Sequence, residues 1–212
     1  MTTLVTGAFG CIGAWVCKRL LESGERAVAL DVGDDPWRMR MIVGPERLRD
    51  VVVVRGDIMA FRPLTVYGPG RDVGLTADPT LAMKAAVLGG PFQIRWGGAT
   101  DFIFADDVAR ACIAASTATL DGARVYNLHG ESATVADLAR WIEDAWPAAK
   151  GTITHVGEPI PFPSELADPG YQRDLGPAPR TGIKDGIRRT LDEFAALPEA
   201  GGLDARELAP AP

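Results

Sequence analysis

Thr6-Gly7-Ala8-Phe9-Gly10-Cys11-Ile12-Gly13 decides the reading of this sequence. Its glycines are spaced three and three. They follow a short β-branched run, Thr3–Thr6, and open a stretch that carries Ile12, Trp15, Val16 and Leu20 on one helical face. Each glycine has a physical use. Gly7 lets the chain turn sharply, Gly10 lets backbone approach a pyrophosphate, and Gly13 lets the helix pack tightly on the strand. The start of such a helix offers N–H groups and a partial positive charge to phosphate. The alternative is a glycine-rich turn that holds no ligand.

Working outward, Gly24 ends the helix and Ala27–Leu30 forms a second apolar strand closed by Asp31. Val51–Val54 is a third strand, expected to be buried on both faces in a parallel sheet. Strand, helix and strand in this order open a doubly wound α/β sheet of the Rossmann type, a dinucleotide-binding architecture. Asp31 lies 24 residues after Gly7, where a carboxylate can accept from both ribose hydroxyls; its plainer reading is a strand-end turn. Asp34 and Asp35 follow, and along the chain the next base is Arg38. A 2′-phosphate would face three carboxylates, which favours NAD over NADP. Gly56-Asp57-Ile58 follows the third strand, so that Asp57 reaches an adenine edge or simply makes a turn.

The second half alternates short elements. Arg62–Tyr67 reads as a strand that runs into Gly68-Pro69-Gly70. Asp78-Pro79 opens a helix and Gly89-Gly90 closes it. Phe92–Trp96, Asp101–Phe104 and Arg124–Leu128 read as strands, and Asp106–Thr117 as a helix. Thr134 with Asp137 forms a capping box before the helix that Pro147 stops. Ile183, Ile187, Leu191 and Phe194 mark a last amphipathic helix, and 198–212 reads as a loose tail.

Composition narrows the function. Twenty-eight acids against 22 bases leave a net charge of −6 without clustered bases, which argues against nucleic acid. No apolar run is long enough to span a membrane, and with Met1-Thr2-Thr3 at the start no secretory signal is expected. Three cysteines without ligand spacing read as thiols in a reducing compartment, so a cytoplasmic protein is expected. Two histidines make a histidine-rich metal site unexpected.

Several of these motifs resemble one family. The TGxxGxxG spacing, the acid after the second strand and Gly56-Asp57-Ile58 are similar to the extended short-chain dehydrogenase/reductases, the NAD-dependent epimerase/dehydratase family acting on nucleotide sugars. Arg62-Pro63-Leu64-Thr65-Val66-Tyr67-Gly68-Pro69-Gly70 resembles its Arg-Pro-x-x-Val-Tyr-Gly-Pro-Gly segment. Asp101-Phe102-Ile103-Phe104-Ala105-Asp106-Asp107-Val108-Ala109 resembles its Asp-Phe-x-x-x-Asp-Asp-Val-Ala segment, and Leu175-Gly176-Pro177-Ala178-Pro179 its late Leu-Gly-x-x-Pro. The resemblance implies a Rossmann domain with a small C-terminal substrate lobe. The parts would be a Rossmann portion over 1–67, a mixed completion and substrate lobe over 68–197, and the tail. It also implies NAD as cofactor, a nucleotide sugar as substrate, and hydride transfer between a sugar carbon and the nicotinamide.

By the same resemblance, Gly7, Phe9, Gly10, Cys11, Ile12 and Gly13 would line the pyrophosphate. Asp31 would hold the adenosine ribose, Asp57 and Ile58 would flank the adenine, and Pro63 would sit near the nicotinamide. Tyr67 and Arg95 would serve the substrate, Arg95 by forking onto its diphosphate. The plainer readings are a core aromatic for Tyr67 and a solvated strand residue for Arg95. Thr100 stands where the family has an arginine.

The family's chemistry uses a tyrosine with a lysine four residues later, the lysine favouring phenolate. Here Tyr67 is followed by Arg71, Tyr126 by Gly130 and Tyr171 by Leu175. No catalytic residue is therefore assigned. In the family, on the order of 100 residues separate the Gly-Asp-Ile motif from the Arg-Pro strand, and that segment holds the catalytic pair and the helices of the usual homodimer. Here Met59, Ala60 and Phe61 separate them. Parallel crossovers normally take a dozen or more residues, and six steps reach at most ~20–22 Å. The Arg62–Tyr67 strand is thus expected in its family place with residues missing before it or, in a continuous chain, either beside the third strand as an antiparallel neighbour or closed up towards the first strand over a shorter span. Two functions follow: an NAD-dependent epimerase or dehydratase, or an NAD-binding deletion form that performs no redox step.

Overall fold

A computed structural model describes residues 1–31, 33–55, 61–118 and 125–197. The elements in the first part are β1 (Thr2–Thr6), α1 (Cys11–Glu22), β2 (Arg26–Asp31), α2 (Trp37–Val43), α3 (Pro45–Leu48), β3 (Val52–Arg55), β4 (Phe61–Pro63) and β5 (Thr65–Tyr67). They continue with α4 (Asp78–Leu88), β6 (Phe92–Ile94), β7 (Ala99–Phe104), α5 (Ala105–Thr117), β8 (Tyr126–Leu128), β9 (Glu131–Thr134) and α6 (Val135–Ala145). The last are β10 (Ile153–His155), α7 (Pro169–Leu175) and α8 (Ile183–Ala195). The class is α/β. The chain forms two compact units, each drawn from three stretches: 1–63, 105–128 and 167–179 in the first, and 64–104, 129–166 and 180–212 in the second.

In the first unit, β1, β2 and β3 form a parallel sheet in the order β1-β2-β3, with Leu4 opposite Val28 and Asp31 opposite Arg55. Side chains alternate across this sheet. Thr3, Val5, Ala27 and Ala29 are buried on one face, and α1 packs on β1 and β2. The other face carries Leu4, Val52 and Val54, which are 54%, 47% and 42% exposed. This corrects the expectation that Val51–Val54 is buried on both faces. Of these four only Val51 is buried, and β3 is an edge strand that bonds to β2 alone among the described strands.

Helix α1 starts from Gly10 and buries Trp15, Cys17 and Leu20. It packs against α2, which the sequence reading did not foresee, and against α5. Arg19 Nε and Nη2 donate to the buried Asp106 of α5, each at 2.6 Å. A second parallel pair, β4 with β8, places Pro63 opposite Leu128. The Tyr126 ring stands edge-on to Tyr171, with centroids 5.8 Å apart, and its hydroxyl donates to Asp174 at 3.1 Å.

The expected strand Arg62–Tyr67 is divided. Its first half, β4, bonds to β8, and its second half, β5, belongs to the other unit and bonds to β7. Pro63 supplies no N–H to continue a ladder at that point. Neither half pairs with β3. The junction around Asp57–Ile58 falls in 56–60, and the tail 198–212 likewise lies outside the described residues.

In the second unit β7 is central, parallel to β5 and antiparallel to β9; β6 and β10 form a separate parallel pair. Helices α4, α6 and α8 pack on one another over a core that includes Tyr67, Met83, Phe102, Leu138, Ile142 and Ile187. The expected punctuation holds. Asp137 N donates to Thr134 Oγ1 at 3.0 Å, and the left-handed Gly89, φ 72°, ends α4.

Candidate functional site

The site begins at the turn between β1 and α1. Gly7 has φ +62°, the left-handed region where a Cβ is disfavoured. A Cβ at Gly13 would lie 2.2 Å from Gly7 O and 2.5 Å from Ala8 Cα, so only glycine lets α1 sit this close to the turn. Gly10 is the N-cap of α1. No side chain caps the helix, and its first turn holds no acid. The helix therefore presents backbone N–H groups and positive dipole character without a built-in carboxylate to compete for them. This is a glycine cradle suited to a pyrophosphate.

Asp31, at the end of β2, reaches this cradle. Its Oδ2 accepts from Phe9 N at 2.8 Å and its Oδ1 from Gly33 N at 2.9 Å. One carboxylate thus braces the glycine turn and the loop after β2. Each oxygen retains acceptor capacity, since a carboxylate has about four lone-pair sites. A Cβ on Gly33 would stand 3.3 Å from Asp31 Oδ1 and 3.4 Å from the Phe9 ring, so the wall here is tight. The cradle, the uncapped helix and the carboxylate one strand away fit a dinucleotide. Gly7, Phe9, Gly10, Cys11, Ile12, Gly13 and Asp31 are all gathered in the first unit. Pro63 is in the same unit, half-buried at the end of β4. Asp57 and Ile58 lie outside the described residues.

Two residues were missed beside Asp31. Arg55 is its register partner on β3, and Arg55 Nη1 lies 3.1 Å from Asp34. Arg40 pairs with Asp35 at 2.7 Å. The acidic run thus carries its own bases, and Arg55 reaches it only through strand register, across 24 positions from Asp31.

The proposed substrate residues fall in the second unit. Tyr67 is fully buried between Phe102 and Phe104, and its hydroxyl donates to Ile183 O at 3.3 Å, so the core reading describes its surroundings. Arg95 is half-exposed and clamped by the buried Asp78. Its Nε donates at 3.1 Å and its Nη2 at 2.6 Å, and its backbone N donates to the same carboxylate at 2.6 Å. The Asp78 hydrogen bonds raise the Arg95 pKa, and the guanidinium is held in one direction. The sequence marks Asp78 only as a helix start; its role as a clamp shows once β6 lies along α4.

A second polar cluster joins β7 to the start of β9. The buried Asp101 carboxylate meets His129 Nδ1 and accepts from Gly130 N at 2.8 Å. Burial raises the Asp101 pKa, while the Gly130 amide and His129 pull it back. Among the described residues no group of three His, Cys, Asp or Glu could hold a metal, and no helix is long and apolar enough to cross a membrane.

No family model matches the sequence, and no curated protein matches it. Solved structures do match. The chain is similar to a UDP-glucuronic acid 4-epimerase from Bacillus cereus in complex with NAD, with a TM-score of 0.69 at 17% identity, covering 92% of this chain and 98% of that one. It is similar to a UDP-glucose 4-epimerase from Bifidobacterium longum in complex with NAD+ and UDP, with a TM-score of 0.69 at 14% identity and coverages of 95% and 100%. A dTDP-glucose 4,6-dehydratase from Bacillus anthracis in complex with NAD follows, with a TM-score of 0.63 at 13% identity and coverages of 92% and 96%. At these identities the likeness establishes the architecture. The chain has the Rossmann-type fold of the extended short-chain dehydrogenase/reductases, the fold in which these epimerases and dehydratases are built.

Proposed function

We propose that this chain is an NAD-binding protein of the nucleotide-sugar epimerase/dehydratase type. The observation that carries the reading is the glycine cradle beneath the uncapped start of α1, with Asp31 reaching it from the next strand. In this reading the backbone of Gly7, Phe9, Gly10, Cys11, Ile12 and Gly13 holds the pyrophosphate. Asp31 accepts from the adenosine ribose, Asp57 and Ile58 flank the adenine, and Pro63 lies by the nicotinamide. Bound NAD supplies a hydride acceptor. Arg95, pre-set by Asp78, forks onto the diphosphate of a nucleotide sugar. The reading places the protein in the cytoplasm, in keeping with three cysteines of which none is in a disulfide.

A specific observation favours a form that binds without turning over. The hydride step needs a base to take the sugar hydroxyl proton, and no tyrosine here has a lysine four residues on. Tyr67 and Tyr171 are buried, and Tyr126 is bonded to Asp174. Calorimetric titration with NAD and with UDP tests the binding reading. Saturable NAD binding, and UDP binding weakened in Arg95→Gln, support it. Failure of NAD to bind refutes it.

A further inference from the structure

Along the sequence the residues after β2 look hostile to a 2′-phosphate, because Asp31, Asp34 and Asp35 precede any base. The fold changes that balance. Parallel neighbours in register project to the same face of a sheet, about 4.8 Å apart, so Arg55 leaves β3 level with Asp31 on β2. Asp34 is paired with Arg55 and Asp35 with Arg40, while Arg38 lies over the Trp37 ring, 4.4 Å from its centroid. Two of the three acids are therefore paired with bases. Asp31 alone holds a carboxylate committed to backbone amides rather than to a cation.

The Arg55–Asp34 pair is open to solvent, its side chains 72% and 81% exposed. Exposed pairs of this kind contribute about 0–1 kcal/mol. Exchanging the Asp34 carboxylate for a phosphate therefore costs Arg55 little, and a guanidinium forks onto two phosphate oxygens as readily as onto a carboxylate. Asp31 still opposes a phosphate on the ribose by like charge.

We propose that Arg55 is a specificity-determining residue of the dinucleotide site: it takes the 2′-phosphate of NADP in exchange for Asp34, so that the chain binds NADP as well as NAD. Asp31 sets the residual preference for NAD. This inference rests on the reading that the first unit binds a dinucleotide.

The test is calorimetric titration of the whole 212-residue chain with NAD and with NADP. It compares the wild type, Arg55→Gln and Asp34→Asn, with thermal melting of each as a check on folding. Both cofactors bind the wild type, NADP about tenfold more weakly, as one opposing charge near a surface predicts. Arg55→Gln widens the NADP-to-NAD ratio of dissociation constants about 5–10-fold, and Asp34→Asn, which releases Arg55, narrows it. If NAD binds and neither variant moves the ratio, this inference fails while the proposed function stands. If NADP does not bind the wild type, the inference fails as well. If neither cofactor binds, both fail. Should Arg55→Gln not fold, Asp34→Asn decides by narrowing the ratio or leaving it unchanged.

Discussion

Replacing Gly13 with alanine separates the packing of α1 from the binding of its ligand. The added Cβ would lie 2.2 Å from Gly7 O, 2.5 Å from Ala8 Cα and 2.7 Å from Gly7 C. These are backbone atoms, so relief requires the helix to retreat from the turn by about 1 Å to regain ordinary contact. Overpacking of this kind typically costs ~1–3 kcal/mol, and the rigid neighbours place this case at the upper end. The retreat also stretches the Arg19 bonds to Asp106, now 2.6 Å each, which adds to the loss. A loss of about 3 kcal/mol lowers the melting temperature of a domain this size by ~6–12 °C. Gly10→Ala is the control. Its Cβ would stand 3.2 Å from Gly7 O, and the backbone at φ −75°, ψ 172° is comfortable for alanine. It should cost about 1 kcal/mol or less as an N-cap change, yet place a methyl where the pyrophosphate would rest. Melting curves and NAD titrations of both variants provide the readout. A Gly13→Ala protein that melts with the wild type refutes the packing argument. A Gly10→Ala protein with unchanged NAD affinity refutes the cradle as a cofactor site.

Asp31→Ala should weaken NAD about tenfold or more by calorimetry, because it removes both the ribose acceptor and the brace on Phe9 N. Incubation with UDP- and dTDP-sugars followed by chromatography should show no product; rates like those of working epimerases would overturn the non-catalytic reading. Burial pushes the Cys17 and Cys112 thiols up to about 12. At pH 8 their thiolate fraction is then about 10⁻⁴, so native labelling with iodoacetamide should be ~10³-fold slower than for a free thiol and should recover in urea.

The glycine turn and the Thr134 cap are legible because each meets a local demand: a positive φ, a close approach, an orphan amide. What lies beyond reach of the sequence is set by partners far along the chain. Glu131–Thr134 is polar and becomes β9 only because β7 offers it an edge. Val52–Val54 looks like a buried strand, and its exposure depends on which elements flank the sheet. Arg55 and Asp78 gain their roles from strand register and from β6 lying along α4. Helix α2 does carry a local signal: Met39, Ile42 and Val43 follow helical spacing after Pro36.

The exposed apolar residues on one face of the β1-β2-β3 sheet bear on how the protein behaves in solution. Leu4, Val52 and Val54 form an apolar strip on a sheet whose first strand bonds to β2 alone among the described strands. A strip of this kind beside an open strand edge is adhesive, and the net charge of −6 is what holds molecules apart. Added salt screens that repulsion, and sulfate strengthens apolar contact besides. Dilute, low-salt buffer well above the isoelectric point keeps the protein dispersed.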